Sequence, residues 1–374
     1  MSDSAKLIYA SSETDADQLY ITRFFSPDPF LMVEIGGQTT VLLSPLEVDR
    51  GKKDAKVDTV LSTEPYRLRL MERNEGKEPT GTELLVEFLK ELDVKEFTVP
   101  GSFPLGLSRT LEAEGFTLNP EEGSLYPQRQ FKTEVEVDLM RDVLRITETA
   151  VERGIAILRE STVGEDGVLL WEEEVLTSER LRFEIDLVAL RLGAAPYNTI
   201  VAGGEQSCDP HERGSGPLRA NELIVIDFFP RHVGTGYYGD LTRTVIKGQA
   251  SAAHRALWDM VLEGQELALT LLQPGADGEA VQKRIKEYFT EHGYPTEEKD
   301  GRWGGFFHGL GHGLGLELHE HPRISRTTLT PGQIVTVEPG LYYSGLGGVR
   351  HEDVILIRET GPELLTSTPK PFEI

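Results

Sequence analysis

The chain has one cysteine in 374 residues, so no internal disulfide can form. No histidine occurs before His211, which leaves the first 210 residues without the side chain best suited to proton transfer near neutral pH. No apolar run approaches the ~18 residues of a membrane span; the strongest is Leu223-Ile224-Val225-Ile226. Basic residues are scarce too, 38 Lys+Arg against 62 Asp+Glu, a formal charge of −24 with no basic patch. A field of that sign repels phosphate backbones and anionic headgroups, which excludes nucleic acid and membrane surfaces as expected partners. The first twenty residues show no basic stretch followed by an apolar one, so the expected location is a reducing cytoplasm. What remains, 39% apolar and 27% charged, is ordinary globular composition, and the length suits two domains.

From about residue 7 to 128, short apolar stretches alternate with turn residues. Phe30-Leu31-Met32-Val33-Glu34-Ile35, closed by Gly36-Gly37 and followed by Thr39-Thr40-Val41-Leu42-Leu43, reads as a β-hairpin. Leu84, Leu85, Phe88 and Leu89 predict a helix over 81–92. The polar Asn119-Pro120-Glu121-Glu122-Gly123-Ser124 reads as a linker, giving a small α/β domain over 1–128 and a second domain over 129–374. The second domain opens with a long helix whose apolar stripe is Val135, Leu139, Val143, Ile146, Ala150 and Ile157. Helices over 178–192, 252–272 and 278–292, with strands over 222–229, 242–246, 333–338 and 349–357, make the class α+β.

Asp227 interrupts the run from Leu223 to Phe229. An ionised carboxylate there faces a desolvation penalty of several kcal/mol unless a cation or hydrogen bonds compensate it. The glycine-rich stretch up to Asp240 lets the chain fold back and bring the two acids together. The layout recurs with Glu338, after Gln333-Ile334-Val335-Thr336-Val337, and Glu352, near the start of the strand that runs to Ile357. Singly, such an acid is more often a helix cap or a paired surface charge. Four that interrupt apolar strands would repel one another unless neutralised, and two divalent cations would cancel their charge. Oxygen ligands suit Mn²⁺, Mg²⁺ or Ca²⁺, and an added histidine shifts the preference to Mn²⁺, Fe²⁺, Co²⁺ or Zn²⁺.

Four of the nine histidines, His308, His312, His319 and His321, lie within fourteen residues. Glycines at 309, 311, 313 and 315 argue against a helix there and let backbone approach a ligand; in an extended segment His308 and His312 share a face. The stretch is neither G-x-G-x-x-G nor a P-loop, and H-E-x-x-H is absent. Cys208, three residues from His211, lacks any pattern that would supply a base and an oxyanion hole.

Five segments together resemble the Xaa-Pro peptidases, prolidase and aminopeptidase P, of the pita-bread methionine aminopeptidase/creatinase metallopeptidases. They are Ile224-Val225-Ile226-Asp227, the stretch from Gly236 through Asp240 to Thr244, that from His308 through His312 to His319, Val337-Glu338-Pro339-Gly340-Leu341-Tyr342, and Gly348-Val349-Arg350-His351-Glu352-Asp353. The resemblance implies a creatinase-like N-terminal domain before a pita-bread catalytic domain. It also implies a dinuclear site in which Asp227 chelates one ion, His312 and Glu338 hold the other, and Asp240 and Glu352 bridge both. Mn²⁺ is the first expectation, with Co²⁺, Zn²⁺ or Fe²⁺ as alternatives. Glu338 would shuttle the proton, His211, His308 and His319 would contact the scissile amide and the proline end, and Tyr342 and Arg350 would orient ligands or substrate. The implied substrate is a proline-containing peptide and the implied assembly a homodimer.

Three departures bear on the site. Asp227 and Asp240 stand two residues further apart than in most relatives, so a bulge is expected around Pro230-Arg231-His232-Val233. His351 replaces the usual aliphatic and reads as structural, since strand alternation turns it away from its neighbours. Residues 295–305 read as a surface loop near the cleft entrance. A creatinase-type amidohydrolase needs no metal and need not keep five ligands, a methionine aminopeptidase usually lacks the extra domain, and a non-catalytic peptide-binding scaffold is the remaining alternative.

Overall fold

In the computed structural model, which describes residues 5–374, Gly36 and Gly37 take φ values of 56° and 78°. Two successive positive φ angles make the tight turn that matches strand twist, and the predicted hairpin, Phe30–Ile35 with Gln38–Leu43, forms around it. It lies within a six-stranded mixed sheet ordered Thr59–Ser62, Gln38–Leu43, Phe30–Ile35, Ala5–Ala10, Glu96–Pro100 and Thr117–Glu121. The chain divides after residue 129 into two units, and this sheet belongs to the first. The Gly81–Glu91 helix starts on a Thr80/Glu83 capping box and buries Leu85, Val86, Phe88 and Leu89. The predicted linker at 119–124 begins instead as strand. Asn119, Pro120 and Glu121 complete an edge strand, where a proline without an N–H is tolerated.

The second unit, residues 130–374, opens with the helix Glu134–Glu160, capped by Thr133 and Glu136 in a second capping box. Its buried face carries Val137, Met140, Val143, Leu144, Thr147, Ala150, Val151 and Leu158, about a quarter turn from the predicted stripe, and Val135 is 71% exposed. Small residues set the rotation. A Cβ on Gly154 would stand 2.8 Å from Ile185, and Thr147 packs so closely on Gly239 that a Cβ there would meet its hydroxyl at 2.0 Å. The later helices, Ser178–Arg191, Ala252–Leu271 and Gly278–Glu291, each end one residue earlier than predicted, with Leu192, Leu272 and His292 as their C-caps. No helix among the described residues is long and apolar enough to cross a membrane.

Two antiparallel sheets carry the interrupting acids. One is ordered Ile200–Gly203, Leu223–Phe228, Leu241–Ile246. The other is ordered Glu320–Arg323, His312–Gly313, Ile334–Val337, Asp353–Arg358, Gly361–Leu364. The single strand predicted over 349–357 is two: Gly347–Arg350 pairs with Gly340–Tyr343 as a separate hairpin, and Asp353–Arg358 belongs to the five-stranded sheet. The break falls at His351-Glu352 because the chain changes sheet there. Thr244 ties the two systems together, its hydroxyl donating to the Arg350 carbonyl at 2.9 Å and accepting from the Arg350 N–H at 3.1 Å.

Candidate metal centre

Asp227 is the fifth residue of a strand whose six members are all buried, opposite Thr242. Asp240 immediately precedes the partner strand, so the antiparallel fold-back brings both acids to one end of the sheet. The extra residues between them form the short strand Arg231–His232, paired with Ala194–Ala195, where a bulge was expected. Glu338 follows Ile334–Val337 and Glu352 precedes Asp353–Arg358, and Val337 lies opposite Asp353. Asp240, Glu338 and Glu352 each flank the end of a strand and Asp227 is the last residue but one of its own, places from which a side chain can point out of the core while its backbone stays bonded.

His312 enters from a two-residue strand. The segment from 308 to 315 is not extended throughout, and the glycines flanking His312 serve protein contacts rather than a ligand. A Cβ on Gly311 would lie 2.0 Å from the Thr336 carbonyl oxygen, and one on Gly313 2.4 Å from that of His321. The His312 Nδ1 lies 3.1 Å from the Gly313 carbonyl, which leaves Nε2 facing Glu338 Oε1 at 3.2 Å and Asp240 Oδ2 at 3.8 Å. One ligand atom each from Asp240, His312 and Glu352 lie within 4.8 Å of one another, all three residues buried.

The electrostatics are those of a group of carboxylates that could hold a cation. Burial pushes the Asp240 and Glu352 carboxyls well above their ordinary range, and neighbouring carboxylates push the same way. Asp227 is raised by burial against the opposing charge of Arg350, whose Nη2 donates to Oδ2 at 2.6 Å. The other Asp227 oxygen, Oδ1, is buried without a hydrogen-bond partner. Burial also pushes Glu338 upward, but the hydrogen bond and charge of His312, aided by His308 and Arg350, outweigh it and hold the carboxyl low, at about 2. An orphaned carboxylate oxygen beside acceptors gathered around an imidazole nitrogen is a donor set that fits divalent cations.

Arg350, 3% exposed, also donates through Nη1 to the Tyr342 hydroxyl at 2.9 Å. That hydroxyl lies 2.9 Å from His308 Nε2, and His308 Nδ1 lies 2.9 Å from the Gly309 carbonyl. One consistent direction runs through the chain: Arg350 donates to Asp227 and Tyr342, Tyr342 to His308, and His308 to Gly309. Burial lowers the His308 pKa. The His319 ring meets His312 edge-on, centroids 4.4 Å apart, and burial together with the nearby charges of His312, Arg323 and His211 lowers its pKa to about 4. His211 is exposed, its backbone N–H bonded to Asp209, and reaches His308 and His319 only through its charge.

Two threonines escaped the sequence reading. Thr242 Oγ1 donates to Glu352 at 2.7 Å, and Thr336 Oγ1 donates to Glu338 at 3.2 Å while accepting the His312 backbone N–H at 3.1 Å. Residues 295–305 form an exposed hairpin, Glu297–Lys299 with Arg302–Gly304, whose base is bonded to the carbonyl of Tyr342 and the hydroxyl of Tyr343. Cys208 donates to the Tyr343 carbonyl, and burial pushes its thiol up to about 11, which leaves it inert as a nucleophile.

Residues 138–359 match the family model described as metallopeptidase family M24. The chain is 29% identical over 98% of its length to a Pyrococcus furiosus protein described as Xaa-Pro dipeptidase, 97% of which is covered. It is 30% identical to the Pyrococcus horikoshii protein of the same description, over 76% of this chain and 77% of that one. Among solved structures, the prolidase from Pyrococcus furiosus superposes with a TM-score of 0.79 at 25% identity, covering 98% of this chain and 97% of the other. The X-Pro aminopeptidase from Thermotoga maritima superposes at 0.81 and 24%, covering 99% and 97%.

Proposed function

The chain belongs to metallopeptidase family M24, with the α+β pita-bread fold of the prolidases, and from that premise we propose that it hydrolyses the peptide bond preceding proline with two divalent cations. The observation that carries this is the buried ligand set: Asp227 with an unpartnered oxygen, Asp240, His312 and Glu352 within ligating reach of one another, and Glu338 against His312. Asp227 would hold one ion, His312 and Glu338 the other, and Asp240 and Glu352 both. Mn²⁺ is the first choice and Co²⁺, Zn²⁺ or Fe²⁺ the alternatives. Cations bound there would lower the pKa of water and polarise a carbonyl oxygen.

The protein's own groups account for the remaining steps. Glu338, ionised at neutral pH, accepts the proton of the attacking water and returns it to the departing proline nitrogen. His319 or His211 would donate an N–H to the developing oxyanion. The relay from Arg350 through Tyr342 fixes His308 in one tautomer and one orientation beside the substrate. The creatinase-like first domain, residues 1–128, contributes no histidine, so the chemistry is assigned to residues 129–374. A homodimer in the cytoplasm completes the reading.

A dipeptide also presents a free carboxylate at its proline end, and Arg323 would receive it. Arg323 lies opposite His312 in the strand pairing, on the same face, and its charge reaches His319. It makes no ion pair among the described residues. This favours a dipeptidase over an aminopeptidase that leaves the proline side open. The test is hydrolysis of Gly-Pro, Gly-Ala and a tripeptide Xaa-Pro-Yaa by protein loaded with Mn²⁺ or Co²⁺, with metal content measured in parallel. Gly-Pro cleavage with two ions per chain is expected, and Arg323→Met should raise KM for the dipeptide by about tenfold or more, the loss of a charge-assisted contact. Absence of turnover and fewer than two ions per chain after loading would overturn the peptidase reading and favour a peptide-binding scaffold.

A further inference from the structure

The ion pair between Lys132 and Glu320 has no part in the chemistry above, yet it is among the most deeply buried charges of the second unit. Lys132 Nζ lies 2.5 Å from Glu320 Oε1, with the two side chains 2% and 5% exposed. The pair is built into the backbone on both sides. The Lys132 N–H donates to the Gly332 carbonyl at 2.7 Å, just before the Ile334–Val337 strand, and Glu320 opens the strand that pairs with His312–Gly313.

Residues 315–319 turn around the Glu320 carboxylate. Its Oε2 accepts the Glu317 N–H at 3.4 Å, and a Cβ on Gly315 would lie 2.6 Å from Oε1, so Gly315 backbone lies against the charged group. His319 sits on this turn, adjacent in sequence, with its ring edge against the His312 ring. The Gly315 carbonyl in turn accepts the Tyr238 N–H at 2.8 Å, and the Tyr237 hydroxyl donates to Glu136 at 2.7 Å. Lys132 and Glu136 flank the start of one helix, so a single helix N-terminus fixes both the turn that carries His319 and the loop that delivers Asp240.

We propose that Lys132 and Glu320 are positioning residues for His319: the lysine neutralises the carboxylate around which the 315–319 turn is folded, and the turn fixes the imidazole against the metal histidine. The role of His319 in turnover rests on the peptidase reading; the tether itself does not. Removing one charge would leave the other buried and uncompensated, so the informative variants are Lys132→Arg, which keeps the charge, and the double variant Lys132→Met/Glu320→Met, which removes both.

Two measurements decide the matter. In metal-loaded protein of wild-type thermal stability, the double variant should lose about 10- to 100-fold in kcat with KM little changed, the signature of a misplaced group that acts in the transition state. Lys132→Arg should recover most of it. Histidine-selective NMR of the metal-free protein, with the His319 signal assigned through His319→Gln, should show that resonance shifted or broadened in the double variant and restored in Lys132→Arg. A folded, metal-loaded double variant with wild-type kcat, or an unmoved His319 resonance, overturns the proposal. If the wild-type protein hydrolyses no peptide, the peptidase reading has failed and the NMR result still judges the tether.

Discussion

His351 and Glu352 are neighbours with opposite fates. Glu352 lies with Asp240 and His312 in the candidate metal centre, whereas His351, 0% exposed, lies with its ring 4.7 Å from that of Trp258 and neither ring nitrogen hydrogen-bonded. Burial, with the charges of Arg243 and Lys370, pushes its pKa well below the ordinary 6.5. Below about pH 6.5 the unfolded chain therefore takes up a proton that the folded chain refuses. The unfolded state binds more protons there, so the stability present above that pH is lost as pH falls. His351→Leu should have a smaller drop in thermal midpoint between about pH 8 and pH 5 than the wild type; an equal drop would show that His351 is not the acid-sensitive group. Its burial agrees with the structural reading, although the strand whose alternation suggested it is broken at His351-Glu352. The acids were legible as candidates, because a carboxylate inside an apolar strand has few other reasons to be there. Thr242 and Thr336 were not, since threonine is what a strand favours in any case and nothing in its spacing marks a hydroxyl aimed at a ligand.

At the level of elements, sequence patterns located most helices and strands and misjudged how they meet. The long helix was evident from its period, but its buried face was set by the close approach of Thr147 and Gly154 to neighbouring elements, and no count of apolar residues contains that contact. The strand predicted over 349–357 ran through a change of sheet because both halves are equally apolar. The glycines around His312 were visible and their purpose was not. They admit the neighbouring strand, so Gly311→Ala would press a Cβ into backbone at 2.0 Å, where no side chain can move aside. A loss of about 1–3 kcal/mol is expected in denaturant unfolding, and the weakened bond between the His312 N–H and Thr336 should reduce metal affinity as well. Gly309→Ala, whose nearest neighbour would be 4.0 Å away, is the matched control and should cost far less. Equal stability of the two variants would refute the packing argument.

For the whole molecule, the excess of 24 negative charges is not all solvated surface. Asp227, Asp240, Glu338 and Glu352 are withdrawn into one centre, and burial raises Asp227, Asp240 and Glu352 toward their protonated forms while His312 keeps Glu338 ionised. Without cations the folded state therefore binds protons on these carboxyls more readily than the unfolded chain does. Because the folded state binds more protons, raising the pH of the metal-free protein above the ordinary carboxylate range should destabilise it. Divalent cations reverse this by displacing the protons. Adding Mn²⁺ to chelator-treated protein in weak buffer near pH 7 should therefore release protons as well as restore activity. A cation at 100 times its Kd contributes about 2.7 kcal/mol per site, which at about 2–4 °C per kcal/mol for a unit of this size raises the unfolding midpoint by roughly 5–10 °C. The rise should be larger near pH 8 than near pH 6, where cations compete with the bound protons. A midpoint indifferent to Mn²⁺, or a titration that releases no protons, would mean that these carboxylates are held by one another and by Arg350 and do not form a cation site.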